Sequence, residues 1–305
     1  MKKIALLMSA NLLPDSDDQR EDAFEFTEQM EKLIPVFAEH GMILDTVLWE
    51  EAPDKAADYD VMMPLMVWDY AEGKRRKFLT AMGKVAAKTR LMNSYETLAW
   101  SSDKHYLDDL AKKGAPVIST LSVDRVTEAA IKRAYTQLKT DHIVIKPRIG
   151  AGAWRQISLK QGEPLPPRSE WPPDEALIQA FQSAVQTEGE YSLLYFNGRF
   201  SHAVLKQPKE GEYRIQSLYG GTEETFTPTS EHLTAAKRIL NVLDFTPLYA
   251  RIDLLRGRDG KLKLIELELV EPYLYLPHSD GEGSENKGAQ MLAKAVRRRI
   301  DRDKA

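Results

Sequence analysis

Arg251–Glu271 reads RIDLLRGRDGKLKLIELELVE, and its pattern decides the fold. Asp259-Gly260 between two apolar alternations is the signal of a two-residue type I′ hairpin turn. With that turn Asp253 lies directly opposite Glu266, and Arg251 opposite Glu268. Side chains two apart share a sheet face. One patch of sheet then carries Arg251, Asp253, Glu266 and Glu268, with Leu255, Leu262 and Leu264 beside them. Carboxylates at cross-strand distances of about 5–7 Å repel one another. In a partly buried site that repulsion raises their pKa values unless a cation binds. An all-oxygen ligand set favours Mg²⁺, which keeps positions open for substrate phosphates. The competing reading is a solvated edge strand with incidental acids. The acids share the Leu262/Leu264 face while Lys261 and Lys263 take the other, which favours the metal.

A metal that holds a nucleotide needs phosphate-binding groups nearby. Lys146 ends the apolar run Ile143-Val144-Ile145 and precedes Pro147 and the loop IGAGAW. A lysine at a strand end reaches phosphate oxygens as a point charge. Gly150 and Gly152 let backbone N–H groups approach an anion. The loop is not a Walker A, because no GK[ST] follows. Lys104 stands in the first turn of an expected helix, Lys104–Lys113, capped by Ser102 or Asp103 and ended by Gly114.

Outward from these motifs the chain divides in three. Residues 1–92 alternate strands (Ile4–Met8, Met42–Trp49, Val61–Trp68) with helical stretches, one carrying Phe26, Met30, Leu33, Ile34 and Phe37, the other basic, Gly73–Arg90. That order predicts a small doubly wound domain. Its first turn, Ser9-Ala10-Asn11-Leu12, has no GxGxxG, so a dinucleotide site there is unsupported. Residues 93–178 read as strands at Pro116–Thr120, His142–Lys146 and Gln156–Lys160 and a helix at Arg125–Lys139. Five prolines between Pro164 and Pro173 form a connector. Residues 179–305 follow a strand at Ala176–Phe181. They hold a hairpin at Asn197-Gly198, which places His202 with Phe200 and Val204 as a packed structural residue, and close on a basic helix, Asn286–Ile300.

Composition sets the limits. The chain has 305 residues, 43% hydrophobic and 29% charged, which suits a soluble globular protein of about two domains. A net charge of −4 shows no basic excess for nucleic acid. There is no cysteine, which excludes disulfides, thiolate zinc sites and cysteine nucleophiles. The histidines stand too far apart for an HExxH site. The apolar run at Val61–Trp68 is broken by Pro64 and too short to span a membrane. The start has no convincing signal-peptide cleavage site, so a cytoplasmic location is expected.

Taken together, the motifs resemble the ATP-grasp superfamily from Asn93 to about Tyr275. The resemblance rests on Asp103-Lys104, on GAPVIST from Gly114, on Ile145-Lys146-Pro147 and its glycine loop, on LIQAF at Leu177–Phe181, on GEYSLLYFNG from Gly189, and on GEYRIQSLYGG at Gly211–Gly221. The spacing Arg251–Asp253–Glu266 is similar to that of D-alanine–D-alanine ligases. Trp68-Asp69-Tyr70, the Trp100–Tyr106 segment and Ser201-His202-Ala203-Val204 look like a bacterial glutathione-synthetase-like branch that includes the cycloserine-forming cyclo-ligase. One departure stands out: the last metal ligand of much of the superfamily is Asn, and here it is Glu268.

The resemblance implies a fold: a Rossmann-like preATP-grasp α/β domain followed by two α+β ATP-grasp subdomains that clasp ATP. It implies Lys104 and Lys146 on the α- and β-phosphates, and Gln179, Ala180 and Phe181 as the adenine hinge. It puts Glu190 on the ribose, Lys206 and Arg214 at the γ-phosphate, and Arg251 at a developing oxyanion. Asp253, Glu266 and Glu268 would carry two Mg²⁺ ions, or Mn²⁺ in their place. The implied reaction joins a small amino-acid-like carboxylate to an amine through an acylphosphate, releasing ADP and phosphate. The alternatives are an ATP-grasp small-molecule kinase and a non-catalytic nucleotide-binding regulator, since fold does not fix function. The expected partners are small-molecule carboxylate and amine substrates, with a homodimer as the assembly and the Trp68–Tyr70 turn as a substrate wall.

Overall fold

The computed structural model describes residues 1–280 and 285–302. The chain opens with β1 (Lys2–Met8), α1 (Phe24–Glu39), β2 (Met42–Leu48), α2 (Ala52–Lys55), β3 (Val61–Met66), α3 (Arg75–Ala86) and β4 (Arg90–Leu91). The strands form a parallel sheet in the order β2-β1-β3-β4. Ile4–Met8 is buried throughout, as a strand covered on both faces must be. α1 buries Met30, Leu33 and Phe37 at the expected spacing, with Pro35 tolerated inside it. The basic helix is shorter than Gly73–Arg90. Glu72 and Gly73 have non-helical dihedrals before it, and Arg90–Leu91 pairs with β3 after it.

Next come α4 (Tyr95–Ser101), α5 (Tyr106–Lys112), β5 (Thr120–Val123), α6 (Glu128–Gln137), β6 (His142–Pro147), β7 (Ile157–Lys160) and β8 (Ala176–Ala180). They build an antiparallel sheet in the order β5-β8-β6-β7. α4, capped by the Ser94 hydroxyl on Thr97 N at 3.3 Å, has no counterpart in the sequence reading. The strand expected at Pro116–Thr120 lies further on. Pro116–Ile118 is drawn off to Leu264 instead, with Ile118 N donating to Leu264 O at 3.1 Å and Leu264 N to Pro116 O at 2.7 Å. An expected boundary at 178/179 cuts β8, which is a full member of this sheet.

The remainder is α7 (Ala184–Thr187), β9 (Glu190–Phe196), β10 (Arg199–Gln207), β11 (Thr222–Phe226), α8 (Ser230–Asn241), β12 (Tyr249–Arg256), β13 (Leu262–Glu268) and α9 (Lys287–Arg302). The sheet is antiparallel in the order β11-β10-β9-β12-β13. One face packs with α5 and α8 around Ile252, Leu254, Leu262 and Leu264. On the other, Leu194, Phe196 and Val204 join the core of the first sheet, together with Leu292 and Val296 of α9. The last helix thus returns to the first layer. The expected third stretch, 179–305, also includes 281–284 and 303–305, which lie outside the described residues. Among the described residues no helix is long and apolar enough to cross a membrane.

Two hairpins correct the expected faces. In β9–β10 the Asn197-Gly198 turn holds, but the register shifts between Phe200 and His202. Phe200 therefore packs on the α8 side while His202 and Val204 take the other face. In β12–β13 the turn is not the two-residue one. Gly260, at φ +74, donates its N–H to Gly257 O at 2.9 Å, and Gly257 N donates to Lys261 O at 2.8 Å, which leaves a three-residue loop. A second shift falls between Asp253 and Leu254 on β12, leaving Ile265 as the extra residue of β13. The two shifts cancel at the acids. Asp253 faces Glu266 and Arg251 faces Glu268, as read from the sequence. They do not cancel nearer the turn. Leu262 and Leu264 lie on the opposite face from the acids, and Leu255 and Ile265 flank the acids instead.

Candidate active site

The three sheets meet around a cavity of about 610 Å³, and every expected catalytic, nucleotide-binding and metal-binding residue lines it. The β9–β10–β12–β13 wall brings the charges. Asp253 is 2% exposed and accepts from Arg251 Nη2 at 3.0 Å and from Ser192 Oγ at 2.5 Å. Burial opposes its ionisation, yet Arg251 and Lys206 outweigh that and hold its pKa below the ordinary value. Arg251 Nη2 also reaches Glu268 Oε1 at 2.5 Å. Lys206 Nζ lies 2.6 Å from Glu190 Oε1 and 3.7 Å from Asp253 Oδ1. Gly189 makes that pairing possible. Its φ of +91 and the closeness of Lys206 O, 2.5 Å from where a Cβ would stand, leave no room for a side chain.

Acids outnumber their cations here. Glu268 is pushed up to about 8 by burial, with Asp253, Glu266 and Glu271 adding to the shift against Arg251. Glu271, bonded by the Tyr70 hydroxyl, is pushed up to about 7, again chiefly by burial. Glu266 is held low despite burial, because Lys104 and Lys146 face it, with Lys104 Nζ at 2.9 Å. Among the described residues no three acids converge at metal-ligand geometry. Each is turned to a cation or a hydroxyl of the protein.

The opposing wall comes from the β5–β8–β6–β7 sheet. Lys146 is buried at the end of β6 and forms no ion pair with a described carboxylate. Burial, with Lys104 beside it, lowers its pKa to about 8. Lys104 Nζ donates to Gly150 O at 2.5 Å, so one ammonium links the glycine loop to Glu266. Arg148 forks onto Asp103 at 2.7 and 2.6 Å and anchors the loop's start. Phe181 stacks on His142 with centroids 4.0 Å apart, forming an aromatic floor. The Gln179 amide is spent on Thr120 Oγ1 at 2.8 Å, and Ala180 O accepts from Gln182 Nε2 at 2.6 Å. Arg214 also lines the cavity, pinned by Glu212 at 2.6 Å and with its guanidinium 3.7 Å from the centre of the Tyr219 ring.

The first sheet supplies the third wall. Trp68 Nε1 donates to Glu271 O at 3.0 Å, and Trp68 and Tyr70 line the cavity. Asp69 does not. It turns inward, accepting from Trp49 Nε1 at 2.7 Å and from Lys74. His202 is buried as expected. Its pKa falls to about 4 through burial, so the neutral ring donates from Nε2 to Leu274 O at 2.8 Å. Sequence reasoning missed Glu271, Ser192, Glu25, Tyr273 and Tyr275. Only Glu271 had a visible signal, as the next acid after Glu266 and Glu268.

Residues 4–93 match the family model described as D-cycloserine synthetase DcsG, N-terminal domain. The chain is 27% identical over 276 residues to the cycloserine biosynthesis protein DcsG of Streptomyces lavendulae, covering 85% of this chain and 90% of that protein. Its fold matches the crystal structure of D-cycloserine synthetase DcsG with a TM-score of 0.80 at 24% identity, over 98% of this chain and 99% of that one. It also matches D-alanine–D-alanine ligase from Bacillus anthracis at a TM-score of 0.66 and 14% identity, over 99% and 100%. The expected ATP-grasp architecture is borne out by these fold matches, and in sequence the chain is similar to the cycloserine biosynthesis protein.

Proposed function

We propose that the chain joins the carboxylate of a small amino-acid-like substrate to an amine, with ATP turned over to ADP and phosphate. The observation that carries this reading is the facing of two charged walls. Lys104, Lys146, Lys206 and Arg251 stand around Asp253, Glu266 and Glu268 in one cavity. The donor set fits Mg²⁺: all ligands are oxygens, and Glu268, with its raised pKa, is an acid short of cationic partners. When bound, Mg²⁺ would neutralise charge on the phosphates. Two ions, or Mn²⁺ in their place, belong to the same reading, as do a homodimer and a cytoplasmic location.

In this reading Lys104 and Lys146 hold phosphate oxygens, and Phe181 offers its ring to a base. Arg251 and Lys206 steady the negative charge that builds when the substrate carboxylate attacks the γ-phosphate. An acylphosphate and ADP result. The amine then attacks the acyl carbon, and phosphate leaves with one oxygen of the original carboxylate. The test is ¹⁸O-carboxylate substrate. Label in the released phosphate supports the reading. Label retained in a phosphorylated product with no free phosphate would overturn it in favour of a kinase.

A further inference from the structure

We propose that Tyr275 is a substrate-contacting residue whose phenol donates a hydrogen bond to the carboxylate that this ligase activates. The proposal rests on the ligase reading of the cleft. Five tyrosines border the cavity: Tyr70, Tyr106, Tyr213, Tyr273 and Tyr275. Tyr70 bonds Glu271, and Tyr106 accepts from Leu267 N at 2.9 Å. Tyr213 bonds Gln156, and Tyr273 donates to Glu28 Oε2 at 2.8 Å. Tyr275 makes no hydrogen bond from its hydroxyl to any described residue. The residue is only 8% exposed and lines the cavity, so its hydroxyl is left open to what the cavity holds.

The backbone adds a second, independent sign. Tyr275 has φ 48° and ψ 39°, a left-handed conformation costly for a residue with a Cβ. The chain around it is clamped to keep it there. Leu274 N donates to Gln29 Oε1 at 3.0 Å, His202 Nε2 to Leu274 O at 2.8 Å, and His278 N to Tyr275 O at 3.0 Å. Arg251 Nη1 donates to Tyr273 O at 3.4 Å. Strain held by bonds on both sides marks a side chain that is being placed.

The surroundings say what the phenol meets. The guanidinium of Arg251 lies 5.6 Å from the ring centroid and the ammonium of Lys206 lies 6.0 Å from it. Tyr273 packs edge-on at 4.7 Å. Two cations flank the ring, each also paired with a carboxylate of the wall, and an anion beside the phenol would share them where an ammonium would be repelled. Burial, with the charges of Glu223 and Glu25 adding to it, raises the phenol's pKa against Lys206 and Arg251 and keeps it protonated. A protonated phenol donates and does not act as a base. A carboxylate seated between Arg251 and Tyr275 satisfies both.

Tyr275→Phe keeps the ring, its edge contact and its cations, and removes one oxygen. Wild type and variant are assayed with Mg-ATP, hydroxylamine as the trapping amine, and a panel of the common L-amino acids with D-alanine and D-serine. Hydroxamate and ADP are measured, together with Mg-ADP affinity by calorimetry and the melting temperature. The expected result is a roughly tenfold to hundredfold loss of kcat/KM for the best carboxylate, as a hydrogen bond to a charged group implies. Mg-ADP affinity and melting should not change. An active wild type with an equally active variant overturns the role of Tyr275 alone. A loss of activity matched by weaker Mg-ADP binding or lower melting makes Tyr275 structural and also overturns it. A wild type inert with the whole panel overturns the ligase reading and Tyr275 with it.

Discussion

The two charged walls of the cleft settle their charges in opposite ways. On the β12–β13 wall each buried ion has a partner within the protein. Asp253 has Arg251 and Ser192, Glu268 has Arg251, and Lys206 has Glu190. On the facing wall Lys146 is just as buried and has no such partner among the described residues, while the loop after it carries glycines and leaves Trp154 49% exposed. On the first wall the charges are paired before anything binds, although Asp253 and Glu268 share the one Arg251. The second is complementary to something that arrives. A buried charge removed from a set of pairs leaves its partner stranded, whereas a buried charge without a pair can be removed at no such cost.

The largest effect should come from breaking the paired wall. Arg251→Met strands both Asp253 and Glu268, and should lower stability by about 3–5 kcal/mol in urea unfolding as well as abolish product formation. Lys146→Met on the facing wall should behave in reverse. Stability should hold or rise, while Mg-ADP affinity falls roughly tenfold to a hundredfold by calorimetry. Equal destabilisation by the two substitutions would erase the contrast.

A third effect is set by pH. Burial, reinforced by Asp22 and Glu223, pushes the Glu25 carboxyl from 4.5 up to about 8. Between those values the folded chain holds a proton that the unfolded chain has lost. Stability therefore falls as pH rises from about 4.5 to about 8. Glu25→Gln should flatten this fall and melt higher than wild type at the alkaline end. Parallel melting curves across the range would show that Glu25 ionises normally. The smallest effect concerns the loop at 148–155. Proteolysis beside Trp154 and Arg155 should slow when Mg-ATP is added, and an unchanged cleavage rate would mean that the facing wall is already set.

The hairpin shows how far the sequence could be read. Facing acids at Asp253 and Glu266 were legible from strand alternation. The reading survived only because a longer loop at Arg258–Gly260 and an extra residue at Ile265 offset each other. Aspartate-glycine serves two-residue and three-residue loops alike, so local chemistry did not separate them. The same blindness to bulges put Leu262, Leu264 and Phe200 on the wrong faces. Pro116–Ile118 looked like a strand because it is apolar, and its backbone went to Leu264 because that edge was open.

What the sequence determined by itself was local: the apolar run of β1, the periodicity of α1, the turn at Asn197-Gly198, the lysine before a glycine loop, and the acids along β13. These depend on neighbours a few residues away. The tertiary structure alone decided which cation answers which acid, and that residues 20–28 and 273–275 would face the site at all. Gln29 meets Leu274 across 245 positions of chain, and Tyr275 is held in place by that bond and by His202. Such contacts follow from how α1 and α9 pack against the first and third sheets, and packing between distant segments leaves no period or spacing in the sequence to read.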